Sequence, residues 1–462
     1  MSTFSQSVSI PVPAEFLYQW HANPGAFERL APPWESVDVT QPLERLEDGQ
    51  RTEIRVGVAG PIKQRWLAEL QNVRPGEQFE DEQLTGPFAA WHHRHTMTPD
   101  GDSKSILTDH IEYRLPLGFL GATFGSGLVR RKLKRMFDYR HRITKADAMA
   151  HFKTQQQHPD RQAMKVLISG RSGLVGSELA SFLNSGGHTV AGLTRSPEKN
   201  ENTVAWDPAE NMIDSAAIEN QGFNAVVHLA GESIQGRWTN SKKRRIRESR
   251  TEGTRLLCES LAAMDNPPQT LICASATGYY GDRGDEELTE SSPPGDSFLA
   301  DVCREWEAAC EPAREKGIRV VNVRIGVVLT PKGGALSKLL TPFKLGGGGK
   351  VGDGKQWWSW VAIDDLIGII HHALTNDEVS GPINATTPNP VTNKEFTKTL
   401  GKVLSRPTII PLPGFAAKIM LGEMADELLL ASAKVLPQRT LESGYDFRYP
   451  ELEPALRHLL GR

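Results

Sequence analysis

The stretch KVLISGRSGLVGSELASFLNSGGHTVAGLTRSP holds the densest set of residues suited to one chemistry, the binding of phosphate. An apolar strand, Val166 to Ser169, runs into Gly170-Arg171-Ser172-Gly173-Leu174-Val175-Gly176, and a helix follows through Leu183. Glycines at that spacing let the chain reverse tightly, let backbone N–H groups approach a pyrophosphate, and let the helix pack on the strand. The helix N-terminus adds a preference for anionic charge. The next strand, HTVAGLTR, completes a strand–helix–strand unit, the context a dinucleotide site requires. An acidic residue at the end of that strand would take the ribose hydroxyls of NAD, but here the strand ends Leu193-Thr194-Arg195-Ser196. Arginine suits a 2′-phosphate, and Arg171 adds positive charge on the same side, so the expected cofactor is NADP(H).

A second group of reactive side chains lies in LICASATGYYGD, where an apolar strand runs into Ser275, the adjacent Tyr279 and Tyr280, and a glycine turn. FNAVVHLAGE is another buried strand, and its small-residue end, Leu229-Ala230-Gly231, can lie against adenine and ribose. In WTNSKKRRIRESRTEGTRLL, Lys243, Arg247 and Arg250 fall on one helical face. Trp357, Trp358 and Trp360 follow a glycine-rich loop, where they suit stacking on a flat substrate and core packing equally. Asp364 and Asp365 precede an apolar helix and read as its caps.

These groups need elements to hold them. A chain of 462 residues exceeds one ordinary core. Between Met149 and Ala163 it runs MAHFKTQQQHPDRQA, polar and without apolar period, which reads as a linker between a unit over 1–148 and another over 164–462. The first unit alternates with period two in seven strand-like runs, with two short helical candidates, AEFLYQWH and PGAFERLA, after the first run. A long basic amphipathic helix, LVRRKLKRMFDYRHRIT, closes it. In the second unit, residues 335–360 and 382–462 are helix and loop, expected to form a substrate-side subdomain.

A formal charge of −3 gives no pull toward nucleic acid or anionic membrane. The amino terminus lacks a secretory pattern and no apolar run is long enough to span a bilayer, so the expected location is the cytoplasm. Four cysteines without zinc spacing read as reduced thiols. His93 and His95 point to one face of a strand, but no carboxylate or third histidine stands at an obvious spacing, and no metal is expected.

Met164 to Arg462 resembles the short-chain dehydrogenase/reductase superfamily in its extended, epimerase-like form, through GRSGLVG, HLAGE, ESRTEGT, SATGYYG, FLADVCREWE, VRIGVVL and GDGKQWWSWVAIDDL. The resemblance implies an α/β Rossmann-type doubly wound parallel sheet. It implies that Ser275 polarises a substrate carbonyl or alcohol and that Val328 lies near the nicotinamide. In ordinary members a Tyr-x-x-x-Lys pair moves the proton. Its window here is Ser297 to Cys303, which has neither residue: Phe298 or Leu299 takes the tyrosine position, and Val302 or Cys303 the lysine position. Arg250 stands where an asparagine is usual and would face ribose or phosphates. Tyr279 or Tyr280 could replace the lost acid, water or substrate could deliver the proton, or the site could have ceased to be catalytic. Residues Phe4 to Thr144 resemble the START-like polyketide cyclase and lipid-transport superfamily, an α+β helix-grip fold, which implies a small hydrophobic ligand. The combined expectation is an NADP(H)-dependent oxidoreductase acting on a small-molecule substrate, with a non-catalytic NADP(H) sensor as the alternative.

Overall fold

The protein was analysed as a computed structural model that describes residues 1–43, 45–59, 62–116, 118–160, 162–196 and 202–462. Two compact units emerge, one comprising Met1–Gln162 and the other Ala163–Ala180 and Thr189–Leu460. Among the described residues no helix is long and apolar enough to cross a membrane.

The first unit begins with β1 (Ser2–Ile10), α1 (Ala14–Ala22) and α2 (Ala26–Leu30). Six strands follow: β2 (Val37–Gln41), β3 (Arg51–Ala59), β4 (Ile62–Arg74), β5 (Gln78–Thr85), β6 (Ala90–Pro99) and β7 (Ser105–Arg114). They form one antiparallel sheet in the order β1-β7-β6-β5-β4-β3-β2. Along β7 buried and partly exposed residues alternate strictly, the signature of a sheet with one face covered. The cover is α3 (Gly118–Gln157), whose Leu133 and Phe137 join Phe4, Trp91, Ile111 and Tyr113 in one core cluster. A second cluster gathers Leu17, Trp20, Phe79 and Met97 with Ala148 of the same helix. This is the helix-grip architecture. The helix is longer than its amphipathic segment suggested and takes in residues 149–157, the first part of the expected linker. Alanine, methionine, lysine and glutamine there all favour helix, and the first breaker is Pro159.

The second unit is a doubly wound α/β fold. Its parallel strands are β8 (Lys165–Ser169), β9 (Thr189–Thr194), β10 (Thr203–Asp207), β11 (Ala225–His228), β12 (Thr270–Ala276), β13 (Arg319–Ile325) and β14 (Gly381–Ala385). They stand in the order β10-β9-β8-β11-β12-β13-β14, with Met212–Ile213 added antiparallel at the β10 edge. All four residues of β11 are buried, as expected for a strand covered on both faces. The strand order reverses between β8 and β11, which opens a crevice beyond their carboxyl ends.

Asp364 and Asp365 are not caps. The N-cap of the helix Ile363–Thr375 is Ala362, and both aspartates are buried inside its first turn. Asp365 accepts hydrogen bonds from the Arg448 and Tyr449 backbone N–H groups and from the Tyr445 hydroxyl, anchoring the chain's last segment, while Asp364 pairs with His458. Burial pushes the Asp365 carboxyl up to about 6. Trp358 and Trp360 are buried, with Trp358 against Phe396, so these two rings pack.

In the first unit the Arg29 guanidinium of α2 meets the Asp147 carboxylate of α3 at 2.8 Å, both side chains at most 1% exposed. Removing one member strands a buried charge. Asp147→Ala should therefore destabilise this unit by about 3–5 kcal/mol, read by calorimetry as a lowered unfolding transition. A loss below about 1 kcal/mol, the surface-pair range, would contradict that role.

Candidate functional site

The crevice between β8 and β11 is built by two close approaches. Gly170 adopts φ +71°, and a Cβ there would sit 3.1 Å from the Ala230 nitrogen and 3.2 Å from the Leu229 carbonyl carbon. At Gly176, in the first turn of α4 (Leu174–Ser185), a Cβ would lie 2.2 Å from the Gly170 carbonyl oxygen. Only glycine lets this helix start so near the strand end. The Gly173 N–H closes the turn on the Gly170 carbonyl at 2.9 Å. A backbone cradle that side chains would fill, facing a helix N-terminus, fits a pyrophosphate.

A buried relay holds the two strand ends together. Ser169 Oγ accepts from the Leu229 and Ala230 N–H groups, each at 3.1 Å, and lies 2.6 Å from His228 Nδ1. With both serine lone pairs engaged, its hydroxyl donates to Nδ1, so His228 carries its proton on Nε2 and donates to Thr254 Oγ1 at 3.0 Å. Burial lowers His228 to about 4 and keeps the ring neutral. Neither His228 nor Thr254 was singled out in the sequence. A histidine ending a buried strand was the signal.

Arg171, Ser172, Leu174 and Val175 lie in the cradle. The Arg171 side chain runs along β9, with Cδ 3.1 Å from where a Gly192 Cβ would stand, and Thr194 and the exposed Arg195 end that strand. Arg171 thus reaches β9 two residues before its end, and Arg195 stands just past that end. Arg250 lies beneath Gly231, donates from Nη1 to the Glu232 and Ile246 carbonyls, and stacks over Trp306 at 5.1 Å. The strand Val327–Leu329 carries Val328 into a loop where Gly333 lies against Leu174, so this residue shares the cradle's neighbourhood.

Ser275, near the end of β12, pairs in register with Arg324 on β13. Its hydroxyl donates to Glu307 Oε1 at 2.7 Å, and Arg324 clamps both oxygens of Glu307 at 2.8 Å each. Arg324 also donates to the Tyr280 hydroxyl at 3.0 Å, which donates to Asn384 Oδ1 at 2.7 Å. The Tyr279 ring lies under the Arg324 guanidinium, 3.5 Å from its centroid. Tyr280 is fully buried, and burial pushes its phenol up to about 12. That phenol makes both of its hydrogen bonds within the fold.

The tyrosine–lysine window lies in α5 (Phe298–Ala308). Leu299 packs on Gly278, while Phe298 turns to Trp238, so Leu299 and Cys303 mark the face toward the serine strand. One further turn along that face stands Glu307. Its i, i+4, i+8 spacing from Leu299 was the missed signal. Burial, reinforced by Glu307, raises the Cys303 thiol to about 12, which removes it as a nucleophile.

In the first unit the sheet brings together what spacing along the chain did not. Asp81 stands opposite His93 across β5 and β6, and Asp109 opposite His95 across β6 and β7. His141 of α3 reaches Asp109 at 2.6 Å. The expected apolar interior therefore contains a polar centre. Burial alone would raise Asp109, but the charge of His95 and hydrogen bonds from His141 and His93 hold its carboxyl well below the usual range.

Known proteins resemble this chain in sequence and fold. Residues 166–385 match the NAD dependent epimerase/dehydratase family, 10–138 the polyketide cyclase/dehydrase and lipid transport family, and 412–459 a domain family of unknown function. An epimerase family protein of Mycobacterium bovis is 39% identical over 298 residues, 64% of this chain and 98% of the relative. The chain belongs to the epimerase family. Human epimerase family protein SDR39U1 is 37% identical over 301 residues, covering 64% of this chain and all of the relative. Its crystal structure, with NADPH, superposes with a TM-score of 0.59, covering 64% of this chain and 99% of that one at 36% identity. Both units recur in a structure from Corynebacterium glutamicum described as a nucleoside-diphosphate sugar epimerase. It has a TM-score of 0.81 and 36% identity, and the match covers 99% of this chain and 90% of that one.

The protonation of Tyr280 is open to direct titration. The phenolate difference spectrum between wild type and Tyr280→Phe should be flat up to a pH of about 10, where free tyrosines ionise. A phenolate signal near neutrality would restore Tyr280 as a proton-transfer group.

Proposed function

We propose that the second unit binds NADP(H) and exchanges hydride with a small carbonyl or alcohol substrate, and that the first unit takes a small hydrophobic molecule. The observation that carries the nucleotide reading is the pair Arg171 and Arg195 near the end of β9, with no acidic side chain at the position that would select NAD(H). NADPH in the human relative supports it. The backbone N–H groups of 171–175 take the pyrophosphate, and the two arginines take the 2′-phosphate. Leu229, Ala230 and Gly231 floor the adenine end, with Arg250 beneath them. When bound, the nucleotide supplies or accepts hydride.

The proton step falls to Ser275. Its O–H points at Glu307 Oε1, 2.7 Å away, and the Cys303 thiol is within hydrogen-bond reach, which leaves one Oγ lone pair to accept a substrate hydroxyl. As a substrate alcohol gives its proton to Oγ, the serine proton passes to Glu307, and carbonyl reduction runs the same path backwards. Arg324 holds Glu307 in place for this transfer. The relay takes over the task of the absent Tyr-x-x-x-Lys pair, with Glu307 acting through Ser275 as a positioning residue.

Two sets of variants test this reading. Arg171→Ala and Arg195→Ala should each weaken NADPH binding by about 10- to 100-fold, the worth of one charge-assisted contact, and leave NADH binding unchanged. Against a panel of apolar carbonyls and alcohols, Ser275→Ala and Glu307→Gln should lower kcat by about 10²–10⁴-fold with KM little changed, and Glu307→Asp should recover part of the loss. Tight NADPH binding without turnover by the wild type would instead mark the second unit as a non-catalytic nucleotide binder.

A further inference from the structure

The polar centre of the first unit carries an inference independent of the nucleotide reading. His93 and His95 project from β6 onto the same face, their rings 3.8 Å apart between centroids. A neutral imidazole has one N–H. His93 Nε2 lies 2.9 Å from Asp109 Oδ1 in good hydrogen-bond geometry, which assigns the proton to Nε2. In the neutral ring the other nitrogen, Nδ1, offers a lone pair, and it faces Asp81 Oδ2 at 3.1 Å. His95 repeats the arrangement in mirror order. Its Nδ1 lies 2.8 Å from the same Asp109 oxygen, off the line of a hydrogen bond, and its Nε2 faces the same Asp81 oxygen at 3.6 Å. Two lone pairs and a carboxylate oxygen thus converge on one point. Without a metal ion the gap is filled by a second proton on His93: burial would lower this imidazole, but the charges of Asp81 and Asp109 and its hydrogen bonds to them raise it, and a dication bound there would displace that proton.

We propose that the helix-grip unit holds a zinc-class divalent cation between Asp81, His93 and His95. Ligand atoms from these three residues all lie within 4.8 Å of one another. Tetrahedral zinc with bonds of about 2.0–2.1 Å separates its ligand atoms by about 3.3 Å, and the distances of 3.1 and 3.6 Å bracket that value. Asp109 supplies what a metal-bound histidine needs from its surroundings, a carboxylate to receive the distal N–H and fix the tautomer. Its other oxygen is tied to His141 at 2.6 Å. The charges suit a dication. With the histidines neutral, as ligation requires, Asp81 and Asp109 face the Arg140 guanidinium, and the cluster that meets the ion is net negative. His93 is 2% exposed, whereas the Asp81 side chain is 23% exposed, so the ion has a way in from the Asp81 side. Three protein ligands leave a fourth position for water or for a carbonyl or carboxylate oxygen of a small molecule, the arrangement of a site that works on a ligand.

The test uses the full chain, stripped with a chelator and titrated with zinc by calorimetry. One ion per chain should bind, and Asp81→Asn and His95→Gln, each checked for native folding by near-ultraviolet circular dichroism, should weaken uptake at least tenfold. Failure of the stripped wild type to take up zinc, or uptake unchanged in both variants, would overturn the proposal and leave a shared proton as the occupant. Anomalous diffraction at the zinc edge from zinc-loaded wild-type crystals needs no variant. It should place a peak between the three side chains, and a clean map there would equally overturn it.

Discussion

The Gly170 carbonyl oxygen and the backbone of Gly176 meet where no side-chain carbon could be accommodated. The constraint is steric and local, and the second unit is arranged around it. It brings the first turn of α4 against the end of β8, so unpaired N–H groups of the helix start point into the crevice where the strand order reverses. The Ser169–His228–Thr254 relay keeps the neighbouring strand end at the same height, with no charge buried beneath the cradle. The polar groups this turn presents are backbone, held in place by the fold itself.

Beside this glycine turn, the residues depart from the superfamily's usual set. In place of the tyrosine and lysine that the superfamily resemblance leads one to expect, α5 offers Leu299 and Cys303, an apolar side chain and a thiol that burial keeps protonated. The polar groups next to Ser275 are Glu307, one helical turn beyond Cys303, and Arg324 on the neighbouring strand. The two make a bidentate ion pair, and the Ser275 hydroxyl is its third member. Glu307 outweighs the effect of burial on Arg324 and holds it all the more firmly charged. Tyr280 completes the network as a hydroxyl between Arg324 and Asn384.

What was legible in the sequence divides along physical lines. Local signals were sufficient for the glycine turn, the basic end of β9, the seven alternating strands and the two short helices, because each depends on residues close together in the chain. The end of α3 was misplaced because a polar stretch without apolar period can still be helical when its residues favour helix and Pro159 comes late. Asp364 and Asp365 looked like caps because only tertiary structure reveals the backbone amides of 448–449 and His458 as their partners. Glu307 and Arg324 escaped notice for the same reason: 17 positions separate them, and the packing of a helix against the sheet makes them neighbours. The cluster of Asp81, His93, His95 and Asp109 is the extreme case, since three strands contribute to one point on the sheet.

The central claim is that this crevice is shaped for a phosphate-tagged dinucleotide whose reactive end reaches Ser275. A crystal structure of the full chain with NADPH tests it most directly. The pyrophosphate should rest on the backbone N–H groups of 171–175, the 2′-phosphate between Arg171 and Arg195, and nicotinamide C4 should face Ser275. Density showing the pyrophosphate away from that turn, or the nicotinamide directed away from Ser275, would contradict the account.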